Sequence, residues 1–230
     1  MTVKQNSIAD RLQTLRSALP ESTTLVAVSK YHSIEEIQEA YDAGQRHFGE
    51  NHAQELARKA QALPADIKWH FIGHLQTNKV KLIMPYVHLI HAVDSWHLLQ
   101  EVNKQAARLD RTVDVLLQLH VAEEETKFGL SPTAFTELLT NEAWRELTSV
   151  HIRGVMAMAT HTDNETQIAR EFDEVRRIFD ETHATFFKGN DTFCLRRYGM
   201  SDDYSIALQH GSNIVRIGTA IFGPRDYKNK

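Results

Sequence analysis

The chain has 230 residues, a formal net charge of -4 and 42% hydrophobic side chains. That is enough apolar material for one large domain, and no stretch is polar enough to stay disordered. Charges of both signs are interspersed, which excludes a basic face for nucleic acid; a single cysteine, Cys194, excludes an internal disulfide. The N-terminal segment "MTVKQNSIADRLQTLRSAL" lacks the apolar core of a signal peptide. It reads as an amphipathic helix with Ile8, Leu12, Leu15 and Leu19 on one stripe. No apolar run is long enough to span a membrane, so a soluble cytoplasmic protein is expected.

From residue 24 onward, short apolar runs alternate with helical patterns. The expected strands are "TLVAVSK", "RHFGEN", "KWHFIGH", "HLIHAVDS", "TVDVLLQLHV", "HIRGVMAMAT", "TFCLRRYGM" and "NIVRIGTAIFG". Helices are expected over 34–43, 53–62, 96–109, 132–147 and 165–184, the last with Ile168, Phe172, Val175 and Phe179 on one face. Eight such units predict a parallel sheet covered on both sides, closed as a (β/α)8 TIM-type barrel of ~250 residues. An open doubly wound sheet is the alternative, disfavoured by the count of eight and by the lack of a Gly-x-Gly-x-x-Gly turn after the first strand. Such a barrel uses nearly the whole chain, 1–230, as a single domain with an extra N-terminal helix.

Lys30 ends the first apolar run, at the edge where barrels carry their active sites. Alternation puts it on the inward face with Val26 and Val28. Partial desolvation there lowers an amine's pKa and suits it to Schiff-base chemistry; a solvated strand-end lysine is the plain alternative. At the other end of the chain, "YGMSDDYSIALQHG" and "NIVRIGTAIFG" place Gly199, Ser201, Gly218 and Thr219 where the last two strands end. Barrels often hold phosphate at this place, through backbone N–H groups and helix N-termini. Turn-forming glycines and a capping serine would look the same. Arg216 interrupts the apolar run of the last strand and points inward by alternation. It needs a ligand acceptor or a core acid such as Asp94 or Glu50.

Together, "AVSK", "GQRHFGENHAQE", "WHFIGHLQTNK", "KFGL", "IRGVMAM", "GMSDD" and "VRIGTAIFG" resemble, in order and spacing, the pyridoxal 5′-phosphate homeostasis protein family. It is also called the alanine-racemase N-terminal-like or proline-synthetase co-transcribed family. The resemblance covers residues 25–227. It implies a barrel like the N-terminal barrel of alanine racemase, with pyridoxal 5′-phosphate (PLP) held as a Schiff base on Lys30. It further implies phosphate contacts from Ser201, Gly218 and Thr219, Arg216 at the pyridine nitrogen, and Asn51 and His70 at the cofactor's edge. The family binds, buffers and hands over PLP, with little or no catalytic turnover, so apo PLP-dependent enzymes are the implied recipients. One departure stands out. The family pattern "LSMGMSDD" is "LRRYGMSDD" here, with Arg197 in place of a serine and Tyr198 in place of a methionine.

A carrier also follows from the residues. An arginine at the ring nitrogen disfavours its protonation and weakens the electron sink. A PLP-dependent amino-acid racemase, the alternative, needs a second acid/base. Tyr31, Tyr198 and Tyr204 are the only tyrosines near loop edges that could be offered, and packing or capping explains them as well. A metal-dependent barrel hydrolase is a distant alternative. His70 and His74 lie on a strand and turn, and His161 and Asp163 lack a third ligand, so no metal is expected. Asn51 with Gln54 has the pattern of a helix capping box. Lys127 is a surface lysine or a second amine at the mouth, and Cys194 a core thiol on the seventh strand. With no large exposed apolar stripe, a monomer is expected.

Overall fold

The computed structural model describes residues 7–124, 126–200 and 203–224. Eight strands follow in chain order: β1 (Thr24–Val28), β2 (His47–Glu50), β3 (Lys68–Phe71), β4 (Val87–Val93), β5 (Val113–Leu119), β6 (Val150–Ala157), β7 (Leu195–Arg197) and β8 (Ile214–Ile217). They form one sheet in the order β7-β6-β5-β4-β3-β2-β1-β8, each ladder parallel. The ring closes between β7 and β8 largely through side chains. Asn213 donates through Nδ2 to the Cys194 carbonyl (2.9 Å) and accepts from the Arg196 N–H (2.8 Å), while its own N–H reaches the Arg196 carbonyl (2.9 Å). The expected (β/α)8 barrel is the observed fold.

Helices α1 (Ile8–Ala18), α2 (Ile34–Asp42), α3 (Ala53–Ala62), α4 (Val80–Ile83), α5 (Trp96–Ala107), α6 (Pro132–Thr140), α7 (Glu165–Phe186), α8 (Tyr204–Gln209) and α9 (Thr219–Phe222) surround the strands. Local sequence explains several of their starts. Ser7 with Asp10, and Ser33 with Glu36, form reciprocal capping boxes at α1 and α2. Ser131 caps α6, whose first residue is Pro132. α7 buries Ile168, Phe172, Val175 and Phe179, the stripe read from its spacing. The large apolar shell between strands and helices includes Phe48, Trp69 and Phe71. A small second cluster, Val26, Leu89, Ala92, Leu116, Met156 and Ile214, fills the inside of the ring.

Three local expectations change. The helix expected over 132–147 stops at Thr140; Glu142 turns left-handed (φ 54°) and a 3-10 turn spans Ala143–Glu146. The Trp144 indole N–H takes up the Leu139 carbonyl, one that the helix end leaves open. The seventh strand keeps only three residues. Cys194 precedes it and is exposed, not a core thiol. Phe193 takes the buried position instead, stacked on Phe187 and Phe179 with ring centroids 4.1 and 4.9 Å apart. Among the described residues no helix is long and apolar enough to cross a membrane.

Candidate functional site

Lys30 follows β1 at the C-terminal end of the ring. The side chain of its neighbour Ser29 points outward, its hydroxyl donating to Glu50 Oε1 at 2.6 Å. By alternation the next position, Lys30, falls on the side of the inward-facing Val26. Gly218 is where the last strand meets the first. A Cβ there would come 3.3 Å from both Cβ and the carbonyl oxygen of Val28, closer than a side chain settles without displacement. The missing side chain lets the end of β8 lie against the strand that leads to Lys30. Thr219 begins α9 directly after it and is exposed; "GTAIF" is a helical turn, not the continued strand that was one reading of it. Ser201 lies outside the described residues. Gly199 just before it is left-handed (φ +84°), as a turn into α8 requires.

Below this rim the interior is basic. Arg197 and Arg216 both alternate inward, one step beyond Leu195 and Ile214. Arg197 is fully buried. It donates to the carbonyls of Gly199 (2.9 Å) and Ala157 (3.3 Å), and its Nε has no partner among the described residues. Arg216 is 7% exposed and donates across the ring to the Ile72 carbonyl at 3.2 Å. Burial pulls Arg216 down to about 9, against the pull of Asp203, so it stays charged at neutral pH. Burial, and then Arg216, lower Arg197 as well. Among the described residues neither guanidinium has a carboxylate within bonding distance. The alternative reading, Arg216 paired with a core acid such as Glu50 or Asp94, is not found among the described residues. Glu50 shares the outer face with Phe48 and binds Lys59 at 2.8 Å, and Asp94 binds His74 at 3.1 Å.

His70 faces inward with both ring nitrogens engaged. Nε2 meets His47 Nδ1 at 2.9 Å and Nδ1 meets His91 Nε2 at 2.7 Å. It is part of the floor, with no nitrogen left for a ligand. Burial, and repulsion within this basic layer, hold all three imidazoles neutral: His47 falls to about 4, and His70 and His91 lie well below the usual histidine range. The other nitrogen of His91, Nδ1, is buried without a partner among the described residues. Two buried cations and two orphaned polar nitrogens fit an anionic ligand bearing several acceptors.

Asn51 follows β2 and is half-buried, but it does not cap α3 as the capping-box pattern predicts. The N-cap is His52, without a side-chain bond. Gly73 packs so tightly on the Asn51 backbone that a Cβ there would meet its carbonyl at 2.6 Å. Lys127 is tied down, with Nζ donating to the Ala159 carbonyl (2.6 Å) and paired to Glu124 (2.9 Å). The Tyr198 hydroxyl donates to the His210 carbonyl (2.6 Å) in the outer shell, and that of Tyr31 meets His52 Nε2 (3.0 Å). Neither tyrosine is directed to the ring interior. Sequence reasoning missed Lys59, which is fully buried on α3 between Glu50 and Glu55. The i,i+4 spacing of Glu55 and Lys59 was its one visible signal. Among the described residues no three His, Cys, Asp or Glu side chains converge on a point that could hold a metal ion.

Residues 3–226 match the family model described as "Alanine racemase, N-terminal domain". Pyridoxal phosphate homeostasis proteins from Aquifex aeolicus (strain VF5), Pasteurella multocida (strain Pm70) and Escherichia coli (strain K12) are 39%, 35% and 37% identical. These matches cover 88%, 99% and 92% of this chain and 87%, 99% and 89% of theirs. The solved structure of PipY from Synechococcus elongatus PCC7942 with PLP bound is 35% identical, with a TM-score of 0.83 over 94% of this chain and all of that one. The Clostridium difficile 630 alanine racemase shares the fold at a TM-score of 0.74 and 14% identity, over 97% of this chain and 58% of its own. With the basic floor and the lysine at its rim, these similarities make the chain a member of the pyridoxal phosphate homeostasis protein family.

Proposed function

We propose that this chain binds PLP as a Schiff base on Lys30 and serves to buffer and deliver it, as a monomer, with little or no turnover. One observation carries the reading: two buried guanidiniums, Arg197 and Arg216, lack a carboxylate partner among the described residues, inside the ring whose first strand runs into Lys30. The phosphate-bearing end lies at the termini of β7 and β8, near Gly218 and Thr219, with Ser201 as a further contact. Arg216 faces the pyridine nitrogen, and Asn51 lies at the cofactor's edge. His70 contributes through the floor. PLP supplies an aldehyde and an electron sink when bound; a cation at the ring nitrogen weakens that sink. Against the racemase alternative, the hydroxyls of Tyr31 and Tyr198 are engaged by His52 and the His210 carbonyl, and Tyr204 packs against the outer apolar shell.

The test is the absorbance spectrum of the purified protein with PLP, before and after borohydride, beside Lys30→Ala. A band near about 420 nm, bleached by borohydride and absent from the variant, is expected of a lysine Schiff base. A protein that stays colourless with PLP refutes the reading. For delivery, transfer to an apo PLP-dependent enzyme must outpace loss to solvent; equal rates exclude direct handover.

A further inference from the structure

Lys30 stands between two peptide planes, and one buried ion cluster holds both. The plane before it ends in the Ser29 carbonyl, which accepts from Lys59 Nζ at 2.7 Å. The plane after it carries the Tyr31 N–H, which donates to Glu55 Oε1 at 2.8 Å. That same oxygen accepts from Lys59 Nζ at 2.7 Å, so the two planes are joined through a single ammonium–carboxylate pair. Glu50 completes the cluster, accepting from Lys59 (2.8 Å) and from the Ser29 hydroxyl (2.6 Å). Tyr31 itself is left-handed (φ 68°), a conformation a tyrosine keeps only where its surroundings impose it.

We propose that Lys59 and Glu55 form an outer clamp that fixes the backbone dihedrals of Lys30, making Lys59 a positioning residue for the Schiff-base lysine. The inference rests on the reading of Lys30 as that lysine. The clamp lies outside the strand wall, on the side of Glu50, so its members do not touch a ligand in the ring. Lys59 and Glu50 are both fully buried, and burying an ammonium against a carboxyl group is costly where an apolar pair would pack as well. What the ions provide that an apolar pair cannot is a donor to the Ser29 carbonyl and an acceptor for the Tyr31 N–H. α3 supplies both from one face, one turn apart. In the reaction the neutral Lys30 amine adds to the PLP aldehyde carbon. The C–N bond forms, and the carbonyl oxygen departs as water with the two amine hydrogens. A held approach direction speeds the addition.

The test compares the rate of imine formation with PLP in wild type, Lys59→Met, Glu55→Ala, Glu55→Gln and Leu56→Ala, with thermal unfolding of each. A slowing of about tenfold or more is expected for Lys59→Met and Glu55→Ala. Glu55→Gln keeps an acceptor for the Tyr31 N–H and stays near the wild-type rate. Leu56→Ala hollows the same helix without touching the clamp, so it lowers the melting temperature but leaves the rate unchanged. A folded Glu55→Ala at the wild-type rate, or a Leu56→Ala as slow as Glu55→Ala, overturns the proposal. If wild type forms no imine, the cofactor reading fails, and the clamp is decided by exchange of the Tyr31 amide in cofactor-free protein. Glu55→Ala should speed that exchange about tenfold or more, and unchanged exchange overturns the clamp as well.

Discussion

Replacing Arg197 with methionine should leave the cofactor-free protein at least as stable and weaken its hold on anions. The guanidinium is fully buried, and among the described residues its Nε bonds to nothing and its two bonds reach neutral carbonyls at 2.9 and 3.3 Å. An orphaned buried donor costs about 1–3 kcal/mol, and exchanging a buried ion for an apolar side chain of similar reach is often worth about 1–4 kcal/mol. Against this, the Ala157 and Gly199 carbonyls each lose a donor, at about 1 kcal/mol apiece. The balance runs from about 0 to 5 kcal/mol in favour of Arg197→Met when no multivalent anion is present, so the variant should be at least as stable as wild type. The assay is urea unfolding of both proteins without cofactor, in a buffer free of multivalent anions and again with added phosphate. A shift in midpoint at constant slope reports stability. Phosphate at a hundredfold excess over its dissociation constant should stabilise wild type by about 2.7 kcal/mol and the variant by much less. If the variant is instead less stable by more than about 2 kcal/mol in phosphate-free buffer, Arg197 is a structural strut and not part of an anion floor.

Acid should unfold the protein through its histidine floor. His47, His70 and His91 have depressed folded-state pKa values, so the stability they contribute is present above the ordinary histidine value of 6.5 and lost as pH falls through about 4 and lower. Each adds up to about 1.4 kcal/mol per pH unit, and urea titrations from pH 7 to 4 should show His91→Leu flattening that slope. Glu50 acts in the opposite sense. Burial raises it to about 7, so its contribution is full below the ordinary glutamate value of 4.5 and lost as pH rises through about 7. Glu50→Gln should therefore steepen the acid loss between those values. Gly199→Ala should lower stability by about 1–3 kcal/mol in thermal unfolding, since φ is +84° and the new Cβ would lie 2.6 Å from the Ala207 Cβ. Cys194, exposed ahead of β7, should react stoichiometrically with a thiol reagent in the native protein, which a core thiol would not do.

The barrel was legible because periodicity carries it: apolar runs for parallel strands and a 3.6-residue stripe such as that of α7 survive any detail of packing. The placement of Lys30 just after β1 and of Gly218 and Thr219 at the end of β8 was legible from the order of the apolar runs, but position alone also allowed a solvated lysine and turn-forming residues, and only the resemblance gave them a cofactor role. The basic floor was not legible. Alternation points Arg216 and His70 inward, but which groups meet across a ring depends on register, and the His47–His70–His91 chain joins residues 21 and 23 positions apart. The burial of Lys59 was hidden for another reason. "QELARKAQ" is the pattern of a solvated helix face, and only the fold shows that Glu50 waits opposite it. The errors at Asn51 and at 132–147 are errors of element ends, where one capping bond decides the outcome.

The seam between β7 and β8 gives the ring a weak direction. Seven of its eight joints are ladders of backbone bonds, while this one leans on the side chains of Asn213 and Ser212. Under thermal agitation a ring parts first at its softest joint. Here that joint lies between the two strands whose ends carry the proposed phosphate contacts. A bound phosphate would span the breach like a rivet, so loading and unloading the ring become mechanical events: occupancy tightens the hoop, and a hoop that slackens at this one point can surrender its contents while the other seven joints hold.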